Sequence, residues 1–263
     1  MSKFRTIHIS NPEYETANLR YITVKSSNLK GRGDISVYVP SDKEYQSLPL
    51  ILLLHGVYGS HWSWTHYAGI HLKMDNWIAS NDLPPLVLAM PSDGLWGDGS
   101  GYLSHASIDF EKWIAQDALD AVFETIQQVD EKSRLFIAGL SMGGFGALRI
   151  GANYHWKFEG ISGLSSITHI NQMKMFVEED LCHFKQPNPV NESVWETLAS
   201  HKSNLPRLRF DCGLQDPLLD VNRELHQQLK RLDIQHVYEE FNGAHNWAYW
   251  EKHILRTLQF FVN

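Results

Sequence analysis

Cysteine is scarce: the 263 residues carry only Cys182 and Cys212. Two thiols cannot build the disulfide framework of a small secreted domain. Cys182 falls in a segment of surface composition and Cys212 ends an apolar strand pattern, so both read as free thiols suited to a reducing compartment. Long apolar runs are missing too. No stretch approaches the roughly 18 residues of a membrane span, and Met1 to His8 hold no apolar core of signal-peptide length. A cytoplasmic protein with no membrane partner is expected. Positive charge is not in excess; the formal net charge is −7, which argues against nucleic acid as a partner. Repeats, low-complexity tracts and linkers are absent, so residues 1–263 read as a single domain. Histidine is plentiful, at 14 residues, but never in a paired metal-ligand spacing beside acidic partners; His66 and His71 are five apart. No metal and no cofactor are expected.

What is present is an ordinary globular balance, 43% hydrophobic and 20% charged, enough for a full core. The runs Arg20–Val24 and Asp34–Val39 alternate in polarity around a turn at Gly31-Arg32-Gly33, which predicts an antiparallel hairpin. Leu50–Leu54 and Leu86–Met90 are continuously apolar, as strands buried on both faces of a parallel sheet must be. A helix is predicted over Ile70–Ala79, a glycine- and serine-rich loop over Ser92–Ala106 and a long amphipathic helix from Asp109 to Val129. Further strands are predicted at Leu135–Ala138, Phe158–Leu164, Pro206–Cys212 and Gln235–Phe241, with helices over Asp220–Leu232 and Trp247–Val262. Ser166 to Leu205 carries no sheet pattern and reads as a small lid inserted between strands. The order predicts an α/β fold: a mostly parallel sheet of eight strands with helices on both faces.

The densest signal is Gly139-Leu140-Ser141-Met142-Gly143-Gly144, which follows the fifth predicted strand and precedes a helical pattern. Gly-x-Ser-x-Gly between strand and helix is the arrangement of a nucleophile elbow. A serine in a sharp strand-to-helix turn needs neighbours without Cβ atoms, and the helix N-terminus behind it favours developing negative charge. Such a serine needs a base, and the base needs an orienter. In this chain order the acid should follow the next-to-last strand and the histidine the last. Asp216 follows Cys212 at the required place; Asp220 is its main alternative, read as a helix N-cap, and Asp211 lies inside the strand. His245 sits in the loop after Phe241; its rival His253 falls inside the last helix and reads as solvent-facing. The tetrahedral intermediate needs N–H donors, expected from Met142 and from Val57 in the loop His55-Gly56-Val57-Tyr58-Gly59. His55 reads as a structural residue of that turn.

On these residues, together with Cys212-Gly213-Leu214-Gln215-Asp216, Asn222 and Gly243-Ala244-His245-Asn246-Trp247, the chain resembles the esterase D-like branch of the α/β-hydrolases. That branch holds S-formylglutathione hydrolases, tributyrin-type short-chain esterases, feruloyl and acetylxylan esterases, and mycolyltransferases. The resemblance covers about Leu50 to Phe261. It implies the α/β-hydrolase fold, a triad of Ser141, Asp216 and His245, an oxyanion hole of Val57 and Met142, and a small-molecule ester as substrate. S-formylglutathione hydrolases usually carry a cysteine shortly after the His-Gly, where this chain has Val57, Tyr58, Gly59 and Ser60, so a tributyrin-type carboxylesterase fits better. Tyr58, Trp62, Trp64, Trp96 and Trp247 are candidates for a small acyl or aromatic pocket, with core packing as the alternative for each. The sequence is compatible with a monomer or a homo-oligomer.

Overall fold

The computed structural model describes residues 2–41 and 44–263. Its chain begins with β1 (Ile7–Ile9), β2 (Leu19–Ser26), β3 (Gly31–Tyr38) and β4 (Leu50–Leu54), then α1 (Ser63–Ala68), α2 (Ile70–Ala79) and β5 (Val87–Pro91). A two-stranded ribbon, β6 (Ser104–His105) with β7 (Ile108–Asp109), leads into α3 (Phe110–Lys112). That helix continues as a π-helical segment (Trp113–Ala118) and as α4 (Leu119–Thr125). There follow β8 (Leu135–Leu140), α5 (Met142–Asn153), β9 (Gly160–Leu164), α6 (Val194–Ser200), β10 (Arg207–Gly213), α7 (Leu219–Arg231), β11 (Val237–Phe241) and α8 (Trp247–Val262).

Among the described residues, nine strands form one mixed sheet in the order β1-β2-β3-β5-β4-β8-β9-β10-β11. The first three pairings are antiparallel and the other five are parallel. The expected eight strands are therefore nine. The extra one is β1, three residues that pair with β2 through Ile7↔Val24 and Ile9↔Ile22. It makes the nucleophile strand the sixth of the sheet in chain order rather than the fifth. The expected turn at Gly31–Gly33 lies inside β3; the chain turns at residues 27–30 instead, with Lys30 at positive φ. Gly33 has another reason to be glycine, since a Cβ there would lie 2.4 Å from the Trp113 ring.

The side chains of β4 alternate between two apolar layers. Leu50, Leu52 and Leu54 join the layer under α4, α5 and α7, while Ile51 and Leu53 join that under α1, α2 and α8. Burial on both faces explains an uninterrupted apolar strand, each side chain contributing about 2 kcal/mol of transfer free energy. The long amphipathic helix expected to Val129 ends at Thr125 and is α-helical only at its two ends.

Residues 166–205 connect β9 to β10 through short 3-10 turns and α6. Sequence marked this stretch as a lid because it carries no sheet pattern. Much of it is core: Ile167, Ile170, Met173, Phe184, Val194 and Leu198 are fully buried within the layer that holds α5.

Candidate active site

Ser141 stands between β8 and α5 at φ 53° and ψ −119°, a conformation costing about 1–3 kcal/mol for a non-glycine residue. The neighbours make it possible. A Cβ on Gly139 would lie 2.3 Å from the Gly143 carbonyl oxygen, and one on Gly143 would lie 2.5 Å from that of His55. β8, the turn and the end of β4 touch through bare backbone. The Ser141 N–H donates to the Leu164 carbonyl at 2.9 Å, which ties the turn to β9. Met142 is the first residue of α5, so its N–H has no intrahelical acceptor.

Asp216 and His245 meet this serine from two loops. His245 Nε2 lies 2.9 Å from Ser141 Oγ, and Nδ1 lies 2.9 and 3.1 Å from the two carboxylate oxygens of Asp216. The ionised carboxylate can only accept, so Nδ1 carries the proton and Nε2 is free to accept from the serine. Asp216 Oδ1 also accepts the Leu218 N–H at 2.8 Å, and its side chain is fully buried. The two loops are joined directly. Gln215 N–H donates to the Gly243 carbonyl, and Gln215 Oε1 accepts the Gly243 N–H at 2.8 Å.

Beneath this junction lies a buried polar network. Arg209 donates to Asp211, Thr257 and Glu239, and the Tyr249 hydroxyl donates to Asp211 at 2.7 Å. Burial raises the Asp211 carboxyl against the opposing pull of Arg209, and burial beside Asp211 pushes the Tyr249 hydroxyl up. Asp211 is thus committed to structure. Asp220 is not the N-cap of α7, a place held by Leu218, and its side chain is 96% exposed. His253 does not face solvent. It is 5% exposed, stacked on Phe241 at 4.4 Å and 9°, with the Tyr249 ring 4.5 Å away at 41°.

The loop after β4 closes the site. His55 Nδ1 bonds to the Gly56 carbonyl oxygen at 2.7 Å, and its Nε2 accepts the Asp93 N–H at 3.0 Å, so His55 works as a strut of the turn. Asp93, which carries no sequence signal, organises the next loop by accepting from the N–H groups of Leu95 and Ser100.

A cavity of about 360 Å³ opens on Ser141 and His245. Of the expected residues, Val57, Tyr58 and Trp247 line it. Trp62, Trp64 and Trp96 lie outside the lining. Trp64 is buried behind Trp247 with its indole N–H donated to the Leu54 carbonyl, Trp62 packs against His66 and Tyr67, and Trp96 packs among His105, His183 and Phe184. Tyr67, Phe176 and Trp250 are lining residues that sequence did not assign to a pocket. Trp250 stands three residues past the histidine loop's last motif position, and that proximity was its only signal. Phe176 had none, because nothing local distinguishes it within an aperiodic segment. The two cysteines are free, Cys182 exposed and Cys212 buried, and burial beside Asp216 and Asp211 raises the Cys212 thiol. Among the described residues, no helix is long and apolar enough to cross a membrane.

A mostly parallel sheet with helices on both faces, and a serine at a strand-to-helix turn meeting a histidine from the last loop, define the α/β-hydrolase class. The family model described as "Putative esterase" matches residues 26–261, so the chain belongs to that esterase family, in its esterase D-like branch, and is a carboxylic ester hydrolase. An acetyl esterase of Caldicellulosiruptor saccharolyticus is 27% identical, over 90% of this chain and 96% of its own length. Among solved structures, a ferulic acid esterase superposes with a TM-score of 0.80 at 21% identity, covering 99% of both chains. An S-formylglutathione hydrolase of Staphylococcus aureus does so with a TM-score of 0.79 at 20% identity, covering 97% of this chain and all of that one.

Proposed function

We propose that the chain hydrolyses short-chain acyl esters through an acyl-enzyme on Ser141. The observation that carries this reading is the continuous hydrogen-bonded line from Asp216 through His245 to Ser141 at the mouth of a small cavity. Ser141 Oγ attacks the ester carbonyl carbon while its proton passes to His245 Nε2. Asp216 holds the imidazole in the Nδ1–H tautomer and stabilises the imidazolium. The carbonyl oxygen becomes an oxyanion that accepts from the N–H groups of Val57 and Met142. Collapse breaks the ester C–O bond, and His245 returns the proton to the departing alkoxide, which leaves as the alcohol. Water then attacks the acyl-enzyme by the same relay, and the acid is released. No step requires a metal or cofactor.

The size of the cavity supports a short acyl group, as does the acetyl esterase among the relatives. Ser141→Ala should keep the fold, lose labelling by a fluorophosphonate probe and lose p-nitrophenyl acetate hydrolysis by about three orders of magnitude or more. Hydrolysis at the wild-type rate in that variant would overturn the assignment.

A further inference from the structure

Phe176 belongs to the segment between β9 and β10, yet it reaches the reacting groups. Its ring lies nearly parallel to the His245 imidazole, centroids 5.0 Å apart at 24°, and it lines the cavity. From inside, its N–H donates to the carbonyl of the buried Met173 at 2.8 Å. From outside, a second set of bonds fixes it. The Tyr58 hydroxyl donates to the Phe176 carbonyl at 2.7 Å, with Asp98 Oδ2 3.3 Å away. Asp98 Oδ2 also accepts the Glu178 N–H at 2.9 Å, and the Asp98 N–H donates to Glu179 Oε1 at 3.0 Å. The Tyr58 N–H in turn donates to the Asp98 carbonyl at 2.8 Å. Three separate loops therefore meet over the imidazole: the one after β4, the one after β5 and the one after β9.

These bonds hold a bulky ring in the cavity wall beside the His245 imidazole. Tyr58 is itself held at φ 56°, a left-handed conformation, and the residue is 65% exposed. An exposed aromatic ring in that conformation contributes little to the core. Its ordered partner is the Phe176 carbonyl.

We propose that Phe176 is a specificity-determining residue, walling the cavity over His245 and restricting it to short groups, and that Tyr58 and Asp98 form the latch that sets its position. This rests on the serine-esterase reading above. A rigid apolar wall discriminates through the chain length that fits in front of it, and each methylene that must be accommodated or refused changes kcat/KM appreciably. Charge acts in the same direction at the mouth. Asp98, Glu178 and Glu179 stand together around Tyr58, and none of them is in an ion pair among the described residues. Carboxylate-bearing substrates meet repulsion there.

The test measures kcat/KM over two ester series: p-nitrophenyl acetate through octanoate, and acetates of ethanol through benzyl alcohol. In Phe176→Ala, the ratio of the longest to the shortest member should rise about tenfold in at least one series. Tyr58→Phe keeps the ring and deletes only the latch, so the same ratio should rise by a smaller factor. Phe176→Leu, a milder truncation, should shift it with the same sign and guards against loss of fold in the alanine variant. Ratios in both series within about twofold of wild type in the Phe176 variants would overturn the proposal. Fluorophosphonate labelling separates the two readings. An unlabelled wild type defeats the serine-esterase mechanism, whereas labelled Phe176 variants with unmoved ratios defeat the wall alone.

Discussion

The serine and the histidine of the hydrogen-bonded line at the candidate active site are held by different physics. Ser141 is placed by backbone packing. Gly139 lies against the Gly143 carbonyl, and Gly143 lies against the carbonyls of Leu54 and His55, with no room for a methyl group at either position. The His245 loop also has one bare-backbone contact, a Cβ on Gly213 lying 2.4 Å from the Gly243 carbonyl oxygen, but side chains add most of its bracing. Gln215 joins this loop to that of Asp216, and Tyr249 braces Gly243 from below while donating to Asp211. The first arrangement is short-range and steric, and one extra carbon breaks it. The second is a polar network spread over β10, β11 and α8, where loss of one bond loosens the loop without destroying the sheet.

The sharpest way to break this contrast is at Gly143. Gly143→Ala must push the end of β4 away from α5, because the added Cβ would lie 2.5 Å from one carbonyl oxygen and 2.7 Å from another. We expect a loss of about 3 kcal/mol or more in denaturant unfolding, together with loss of fluorophosphonate labelling. A variant of wild-type stability would refute the steric account of the elbow.

Tyr249→Phe tests the histidine side. It leaves a buried carboxylate oxygen of Asp211 without its donor and should cost about 1–3 kcal/mol. Because Tyr249 acts on the His245 loop and not on substrate, kcat should fall while KM changes little. An unchanged kcat would remove Tyr249 as a positioning residue and leave it a role in stability only.

The last effect concerns pH. Burial, helped by Lys252, Arg256 and Arg209 and opposed by Glu239, pulls the His253 imidazole down to about 4. The unfolded chain, with an ordinary histidine pKa near 6.5, takes up this proton first as pH falls. The stability that neutral His253 contributes is therefore complete above about pH 6.5 and is lost as pH falls toward about 4. His253→Phe, which keeps a ring against Phe241 and Tyr249, should flatten that decline. Urea unfolding measured across this range checks it, and identical pH slopes in the two proteins would contradict the assignment.

Strong local patterns carried much of the fold. Leu50–Leu54 showed its burial on both faces without any structure, and the bounds expected for the last helix, Trp247–Val262, are those observed. Ser141, Asp216 and His245 were singled out because each sits at a chain position that strand order and turn chemistry mark, and the structure brings the three within hydrogen-bond distance. β1 was not, since three residues carry no periodicity and become a strand only through their register with β2. His253 was misjudged because a polar residue type was read as exposed. It lies four residues from both Tyr249 and Thr257, on the buried stripe of α8. Trp247 lines the cavity, but Trp62, Trp64 and Trp96 do not, because nearness along the chain does not say whether a ring faces a cavity or a neighbouring helix.

The amino-acid sequence alone determined the core of the candidate active site. A strained serine flanked by glycines, a carboxylate after one strand and a histidine after the next are short-range features, set by turn sterics and by strand order. What surrounds that core was decided only by the tertiary structure. Phe176 comes to rest on His245, and Tyr58 on the Phe176 carbonyl, through contacts between loops far apart in the chain. No local pattern encodes such contacts, because they exist only once the sheet has brought the ends of its strands together.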